Sequence, residues 1–344
     1  MPNLMRSLNL SCFVLIASSI FAQKHTRITR SNEHAEIIQY TTRPCYSRAI
    51  IVEGDKVYLG NSNGGLIVYD LITKESKDLM ESKNFQEMRD IALCNGSLIG
   101  MQSGTDGLLV KTDKEKFEHF IHINGNHWIG TFLDGMDFYG STGFMMGDPV
   151  KGYFKLFKTT DCGKTWTPCE GKMEAIEGEA GFAASGTNVQ VLNDSTFMFV
   201  TGGSVSRFIR STDGGKTWNA TSIPMHSGKG SGAFSFHFIN ELEGIVVGGD
   251  YESPNLNLNN SYYTNDGGEF WTNSKKQVLG YRSCVIVVNG IAYACGTTGI
   301  DFSKDKGITW EPFAYGNYFA LASDGKMLYA TIPNGSFQRF NLLN

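Results

Sequence analysis

The chain has little proline, little charge and no convincing helical pattern. Only 8 of its 344 residues are proline, charged residues make up 19%, and 40 residues are glycine. Short stretches of alternating apolar and polar residues, joined by turn residues, recur along the sequence. A net charge of −4 gives no general attraction to nucleic acid or to an anionic membrane surface. These features favour an all-β protein and exclude nucleic acid as an expected partner.

Beyond residue 22, the sequence lacks an apolar run long enough to span a bilayer. At its start, Arg6 precedes the apolar run Cys12–Ile20, and Ala22 is a small residue suited to cleavage. This order is typical of a secretory signal. We therefore expect a signal peptide at residues 1–22 and one mature domain at residues 23–344. The mature protein is expected to be secreted or periplasmic, without membrane insertion after signal removal.

The sequence also lacks the common cofactor and metal motifs. It contains no C-x₂-C pair, and Gly228–Gly232 has neither the spacing nor the strand–helix context of a dinucleotide-binding loop. We therefore expect no cofactor and no metal. The turn at Asn289-Gly290 places Cys284 opposite Cys295 on a β-hairpin. This pair is either a disulfide or two buried thiols.

Four segments share the pattern Ser/Thr-x-Asp-x-Gly followed, three positions later, by Trp. Their Asp and Trp residues are Asp161 and Trp166, Asp213 and Trp218, Asp266 and Trp271, and Asp305 and Trp310. The Asp can accept backbone hydrogen bonds within its own turn, and the Trp can pack beneath it. An alternative interpretation makes the aspartates metal or sugar ligands, but a self-contained structural turn is the favoured interpretation. Their spacing matches one four-stranded blade per repeat.

These units predict a seven-bladed β-propeller of four-stranded antiparallel blades. Blade-like units begin near residues 44, 86, 126, 179, 230, 280 and 316. The last unit has only three strands, and residues 34–41 can supply its fourth strand. The ring would then be closed by pairing of the N-terminal and C-terminal strands, which leaves no open sheet edge.

The four turns are the Asp-box, or BNR-repeat, signature shared by sialidases, sortilin-type receptors and other propellers. Nearly the whole mature chain resembles the bacterial propellers grouped with photosystem II stability/assembly-factor proteins. The matching segments are residues 88–91 (MRDI), 147–149 (GDP), 178–187 (GEAGFAASGT), 201–203 (TGG), 248–251 (GGDY) and 280–283 (GYRS). The resemblance implies a seven-bladed, exported propeller. Members are often labelled oxidoreductase or glycosyl hydrolase, so it implies no settled activity.

Alignment of the innermost strands predicts a charged ring at one mouth of the central channel. The aligned residues are Arg48, Arg89, Asp134, Ala184, Ser235, Arg282 and Phe319. The second strands and the loop before blade 4 are expected to add Asp148, Asp250 and Glu179 on the same face. Tyr251 and Trp128 are the nearby aromatic candidates for ligand contact. The ring is either a set of structural ion pairs or a pocket for an anionic group, since arginine binds carboxylate, sulfate or phosphate through paired donors.

Two functions are compatible with this ring. In the first, a monomeric module binds an anionic small molecule, an acidic glycan or a protein segment through Arg48, Arg89, Arg282, Asp134, Tyr251 and Trp128. In the second, the protein is a hydrolase or lyase for an acidic glycan, with Glu179, Asp148 and Asp250 as its acid and base candidates. The register of the blades places the four Asp turns on the opposite face from either site.

Overall fold

A computed structural model describes residues 35–80, 86–104, 107–113, 121–123 and 130–343. These residues form strands, turns and loops without any α-helix, so none of the described residues belongs to a helix that could cross a membrane. The predicted signal peptide lies outside the described residues.

The strands were numbered in chain order. They are β1 (Glu36–Gln39), β2 (Ser47–Glu53), β3 (Lys56–Asn61), β4 (Leu66–Asp70), β5 (Ser76–Met80), β6 (Met88–Cys94), β7 (Ser97–Gln102), β8 (Leu108–Asp113), β9 (Ile121–Ile123), β10 (Leu133–Tyr139), β11 (Thr142–Val150), β12 (Tyr153–Thr159), β13 (Thr167–Pro168), β14 (Glu179–Ala180), β15 (Val189–Asn193), β16 (Thr196–Val200), β17 (Gly202–Gly203), β18 (Arg207–Ser211), β19 (Asn219–Ser222), β20 (Ser231–Phe238), β21 (Gly244–Asp250), β22 (Ser261–Thr264), β23 (Thr272–Asn273), β24 (Cys284–Val288), β25 (Ile291–Gly296), β26 (Gly299–Ser303), β27 (Glu311–Ala314), β28 (Leu321–Ser323), β29 (Met327–Ile332) and β30 (Ser336–Asn341).

The strands form seven antiparallel sheets, which confirms the predicted seven-bladed propeller. In chain order, the blades are β2–β5, β6–β9, β10–β13, β15-β16-β18-β19, β20–β23, β24–β27 and β28–β30 with β1. The first strand of each blade is the innermost. The short strands β14 and β17 extend the sheet of blade 5. The predicted closure is also confirmed, because β1 pairs with β30 from Glu36 opposite Arg339 to Gln39 opposite Ser336.

The hydrophobic core lies between the sheets rather than within one layer. Each cluster of buried side chains joins neighbouring blades, as where Phe208 of blade 4 packs against Phe236, Phe238 and Trp271 of blade 5. Because alternate residues of a strand point to opposite faces of its sheet, every central strand must be apolar on both sides. This requirement explains why strands such as β16 are buried along their whole length.

The four repeated Asp turns share one hydrogen-bonding pattern. In the second turn, the Asp213 carboxylate accepts hydrogen bonds from the backbone N–H of Lys216 and Thr217 and from the hydroxyls of Ser211 and Thr217, at 2.7–3.0 Å. Three of these four bonds, those from the first hydroxyl and from the N–H and hydroxyl of the last threonine, recur around Asp161 and Asp305. In the third turn, Phe270 replaces the last threonine, so Asp266 lacks that hydroxyl donor.

The Asp turns are also linked from blade to blade. A cation just before the turn of one blade donates to a backbone carbonyl in the turn of the next blade. The pairs are Lys111 with Cys162, Lys158 with Gly214, and Arg210 with Gly267. These bonds join blades 2 to 5 along one face of the ring.

The disulfide in the structure is not the one considered from the sequence. Cys284 does lie opposite Cys295, as the hairpin predicts, but both are buried free thiols. The bond instead joins Cys94 of β6 to Cys162 in the first Asp turn, with their Cα atoms 5.5 Å apart. Local hairpin register could not reveal this pair, because it connects two different blades.

Candidate functional site

The channel has two unlike ends. The innermost strands begin at one end, which we call the mouth face, and end at the other, which we call the turn face because it carries the four Asp turns. Because the innermost strands begin on the mouth face, the described residues directly before β2, β6 and β10 also lie there, among them Tyr46, Glu87 and Phe132. The candidate site is built on this face.

A β-bulge opens the innermost strand of four blades near its start. The register shifts in β2, β6, β10 and β20 leave Arg48, Arg89, Asp134 and Phe234 as the extra residues. A bulge places an additional side chain at a strand end and turns it away from the regular alternation. The mouth therefore receives two arginines, one aspartate and one phenylalanine at equivalent positions.

Arg48 and Arg89 meet at Glu87. The Nε atoms of the two arginines lie 3.2 and 2.8 Å from the two carboxylate oxygens of Glu87. About a quarter of each arginine side chain is exposed, and 11% of the Glu87 side chain. One carboxylate is thus shared by two guanidinium groups, and this cluster of three residues carries one net positive charge.

Aromatic rings surround the arginine pair. The guanidinium carbon of Arg48 lies 5.2 Å from the ring centre of Tyr46 and 5.6 Å from that of Phe319, and Arg89 lies 5.9 Å from Phe132. These contacts are within cation–π range. They hold the guanidinium groups in place while leaving part of each exposed to solvent.

A segment of blade 4 reaches across the channel beneath the arginines. We call residues 181–187 the crossing segment. Its Ala183 and Ala184 carbonyls accept hydrogen bonds from Arg89 at 2.6 Å and Arg48 at 3.3 Å, and the Ser185 hydroxyl donates to the Ser283 carbonyl of blade 6. Gly186 has φ +74°, and a Cβ there would collide with the Asp90 carboxyl. The small side chains of residues 183–186 allow the backbone of this segment to approach the innermost strands of the facing blades closely.

Asp134 is buried beside the arginines without a hydrogen-bond partner. Only 1% of its surface is exposed, and neither carboxylate oxygen has a partner among the described residues. Burial raises its pKa well above the usual range, the neighbouring Asp148 raises it further, and Arg89 opposes these effects. The pKa of Asp148 is also raised by burial, although its carboxylate accepts the Gly181 N–H at 3.0 Å. A buried carboxyl without donors favours its neutral form.

Arg282 does not join the other two arginines. Its side chain is 1% exposed and binds Asp301 of β26 at 2.6–2.8 Å, within its own blade. The alignment of the innermost strands that predicted Ser235 and Arg282 at the channel is shifted by one residue in blades 5 and 6. Phe234, not Ser235, takes the bulged position in blade 5, and Ser283 contacts the crossing segment in blade 6. A shift of one residue moves a side chain to the other face of the strand, so Arg282 points away from the channel.

Glu179 is also held in an internal ion pair. Its side chain is fully buried, and Arg207 binds it through Nε at 2.8 Å and through a terminal nitrogen at 2.5 Å. The Thr201 hydroxyl and the Ile176 N–H donate to the same carboxylate. With every oxygen engaged, Glu179 positions the loops before and within blade 4.

The remaining predicted residues have separate surroundings. Asp250 accepts hydrogen bonds from the backbone N–H of Glu252 and Ser253 and so stabilises its own loop. Tyr251 is 48% exposed and its ring meets Phe234 edge to face, with centres 6.3 Å apart. Trp128 lies outside the described residues. The structure therefore brings together Arg48, Arg89, Asp134 and Asp148, and places Tyr251 against a residue of the same mouth.

The channel continues towards the turn face as a cavity of about 390 Å³, lined by the innermost strands of all seven blades. Polar side chains on its wall bind the free edge of the next blade. Asp90 accepts the Met136 N–H and Asp137 the Val191 N–H, both at 2.7 Å. The described residues contain no group of three or more His, Cys, Asp or Glu side chains that could hold a metal.

Several residues that shape the mouth were missed from the sequence. Glu87 carries the shared charge, while Arg207 and Asp301 neutralise Glu179 and Arg282. Glu87 lies only two residues before Arg89, so the two can point to the same side of a strand, and this spacing could have identified it. Asp301 and Arg207 lie on outer strands, and their roles depend on contacts that pattern alone does not give.

Comparison with known proteins supports the fold and leaves the activity open. The Sortilin-Vps10 family model (sortilin, neurotensin receptor 3) matches residues 154–290, which is less than half of the chain. No curated protein sequence matches the chain significantly.

Three solved structures illustrate the likeness. A catalytically inactive virginiamycin B lyase from Staphylococcus aureus, determined with quinupristin, has a TM-score of 0.65 at 10% identity and covers 90% of this chain and 99% of its own. YCF48 bound to D1 peptide has a TM-score of 0.60 at 11% identity and covers 90% and 97%. The GH74 enzyme of Niastella koreensis has a TM-score of 0.61 at 16% identity and covers 88% of this chain but 53% of its own. The chain is thus a seven-bladed β-propeller whose fold is shared by binding proteins and enzymes.

Proposed function

We propose that this protein is a binding module whose mouth face holds an anionic group through Arg48 and Arg89. The observation that carries the proposal is the unequal pairing of two partly exposed guanidinium groups with the single carboxylate of Glu87. Asp134 adds little compensating charge, because its pKa is raised well above the usual range by burial. An incoming carboxylate, sulfate or phosphate would supply the second negative charge and meet fixed, directional donors.

The ligand is an anionic small molecule, an acidic glycan or an acidic protein segment. The aromatic rings beside the arginines favour a ligand with an apolar part next to its anionic group. The likeness to YCF48, whose structure contains a bound peptide, supports a protein segment. The hydrogen bonding of the four Asp turns supports their assignment as Asp-boxes, with a structural role.

We also propose that the mature chain acts outside the cytoplasm. The apolar run near the start supports export, and so does the disulfide between Cys94 and Cys162, since such bonds persist mainly in oxidising compartments.

Binding measurements with synthetic probes test the site. The probes are short aromatic peptides with no carboxylate or one carboxylate, inorganic sulfate and a uronic-acid oligosaccharide, each titrated calorimetrically. At least one carboxylate or sulfate probe is expected to bind, with an affinity that falls as salt is added. Changing both Arg48→Ala and Arg89→Ala should weaken this binding by about 100-fold, because two charge-assisted contacts are lost.

Lys326→Ala is the matched control, because Lys326 is an exposed cation on a hairpin of the turn face. It should leave the affinity unchanged. Binding that survives loss of both arginines, or that falls equally in the Lys326 variant, would place the site elsewhere.

One observation favours a second function, an acidic-glycan hydrolase or lyase. Asp134 and Asp148 lie together at the mouth with raised pKa values, a state that suits a general acid. Glu179 is engaged with Arg207, so Asp148 becomes the leading acid candidate. Cleavage of uronic-acid oligosaccharides that is abolished by Asp148→Asn would support this function, and the absence of cleavage by the native protein would contradict it.

A further inference from the structure

The channel cavity below the crossing segment is a second concave site, separate from the arginines of the mouth. Its volume of about 390 Å³ is within the range of small-molecule sites. Ser185, Gly186 and Thr187 of the crossing segment line its inner end. Asp137 and His237 also line it, and each lies within two residues of the turn-face end of its innermost strand. The cavity therefore extends from the crossing segment towards the turn face.

The wall of this cavity has carboxyl groups but no basic lysine or arginine. Asp90 and Asp137 line it, and among the described residues no lysine or arginine does. Asp90 is 6% exposed, whereas Asp137 is partly exposed. The Asp137 Oδ2 atom accepts the Val191 N–H at 2.7 Å. That bond occupies one of about four lone-pair sites on the carboxylate, so acceptor sites remain for a ligand.

His237 has no structural partner, unlike the other polar side chains of the wall. In blades 2 to 5, a polar side chain of the innermost strand accepts a backbone N–H of the next blade. The pairs are Asp90 with Met136, Asp137 with Val191, Gln190 with Phe238, and Ser235 with Val285. Blade 5 thus makes its connection through Ser235, and neither ring nitrogen of His237 has a hydrogen-bond partner among the described residues. The imidazole lines the cavity and is available to a ligand.

The ionisation of these groups suits a cationic ligand. Burial lowers the pKa of His237 to about 4, so its imidazole is neutral at pH 7 and can accept a hydrogen bond. Burial raises the pKa of Asp137 to about 6, so its carboxylate is mostly ionised above that pH. The rest of the wall is largely apolar and can cover the body of a ligand, through Ile50, Ile51, Ala92, Leu93, Phe138 and Ile286.

We propose that this cavity binds a small organic cation, an amine with an aliphatic or aromatic body, through Asp137 and His237. The ammonium group donates a charge-assisted hydrogen bond to the Asp137 carboxylate near the turn face. His237 supplies a second, neutral hydrogen-bond partner, and the apolar wall encloses the body. This ligand is opposite in charge to the one proposed for the mouth, and the two sites lie on either side of the crossing segment.

Calorimetric titration with three matched probes tests the cavity at pH 8, where the Asp137 carboxylate is ionised. The probes are 2-phenylethylamine, 2-phenylethanol and phenylacetate, which share a phenyl ring and differ in charge. The amine should bind at least about tenfold more tightly than the alcohol, and phenylacetate should not compete with it. If the amine does not bind, or binds no more tightly than the alcohol, the proposal is wrong.

Two substitutions test the residues. Asp137→Asn removes the charge, while its carbonyl oxygen can still accept the Val191 N–H, and it should weaken binding of the amine at least about tenfold without changing that of the alcohol. His237→Phe keeps a planar ring, removes both nitrogens, and should weaken binding of the amine about threefold or more. A variant of either residue that binds the amine as tightly as the native protein would contradict the proposal.

Asp55→Asn is the matched control. Asp55 is an exposed carboxylate on the hairpin between β2 and β3, on the same face but outside the cavity. Its loss should leave the affinity for the amine unchanged, and an equal fall in this variant would mean that the amine binds through general attraction to the acidic protein. Neither cavity substitution alters Arg48 or Arg89, so binding of anionic probes at the mouth should persist, and either proposal can fail without the other.

Discussion

Carboxylates at the two ends of the channel differ in their hydrogen bonding and in the direction of their pKa shifts. On the turn face, Asp213 receives four hydrogen bonds from its own turn, and these bonds lower its pKa below the usual range. On the mouth face, Asp134 receives none, and burial raises its pKa well above that range. The turn face therefore satisfies its carboxylates within short local segments, whereas the mouth contains a buried carboxyl group, that of Asp134, which the described residues leave without a hydrogen-bond partner. Such groups are uncommon in folded proteins and often mark a functional site.

The same contrast separates the arginines near the mouth. Arg282 is enclosed with Asp301 inside one blade, while Arg48 and Arg89 remain about a quarter exposed around Glu87. A fully buried ion pair has given up all its hydration, so loss of one partner is costly. A partly hydrated pair contributes little to stability and keeps donors available for a ligand.

The largest effect on stability is expected from Arg282→Met. The change leaves Asp301 buried without its cation and should lower the free energy of unfolding by about 3–5 kcal/mol. Urea denaturation followed by tryptophan fluorescence measures this loss. Arg48→Met is the control and should cost less than about 1 kcal/mol. Equal losses in the two variants would remove the distinction between an enclosed arginine and a ligand-facing one.

The blades could be predicted from the sequence because their signals are local. Each Asp turn forms its hydrogen bonds within seven residues, and the hairpin at Asn289 sets its own register. The partners of Arg282 and Glu179 depend instead on contacts between strands. The bulges that expose Arg48 and Arg89 add one residue that no apolar pattern reveals. The sequence could thus identify Arg48, Arg89 and Asp134 as residues of the mouth, but it did not reveal Glu87 or show that Arg282 and Glu179 lie in the blade interior.

A smaller effect on stability, and a gain rather than a loss, is expected from Asp134→Asn. Because the folded-state pKa of Asp134 is raised, its ionisation destabilises the fold above the unfolded pKa of about 3.9, and this penalty disappears as the pH falls below that value. The variant should therefore be more stable than the native protein by about 1–3 kcal/mol at pH 7, and equally stable near pH 3. The free energy of unfolding of both proteins, measured from pH 3 to pH 8, tests whether the variant is the more stable one at neutral pH. Greater stability of the native protein at pH 7 would show that Asp134 has a partner in solution.

The smallest effect is expected on the turn face, from Asp213→Ala. The change removes four hydrogen bonds at an exposed turn and should lower the free energy of unfolding at pH 7, by far less than Arg282→Met does, because water can replace bonds lost at the surface. Since the folded-state pKa of Asp213 is lowered, its stabilisation is present above the unfolded pKa and is lost as the pH falls through the folded value. The difference in free energy of unfolding between the variant and the native protein should therefore become smaller as the pH falls. For Asp134→Asn the difference also becomes smaller at low pH, but there the variant, not the native protein, is the more stable of the two.

Asp266→Ala is the matched control, because Phe270 has already replaced one hydroxyl donor in that turn. Its cost should be smaller than that of Asp213→Ala in the same urea titration, and a larger cost would mean that the tryptophan packing, rather than the carboxylate, holds these turns together.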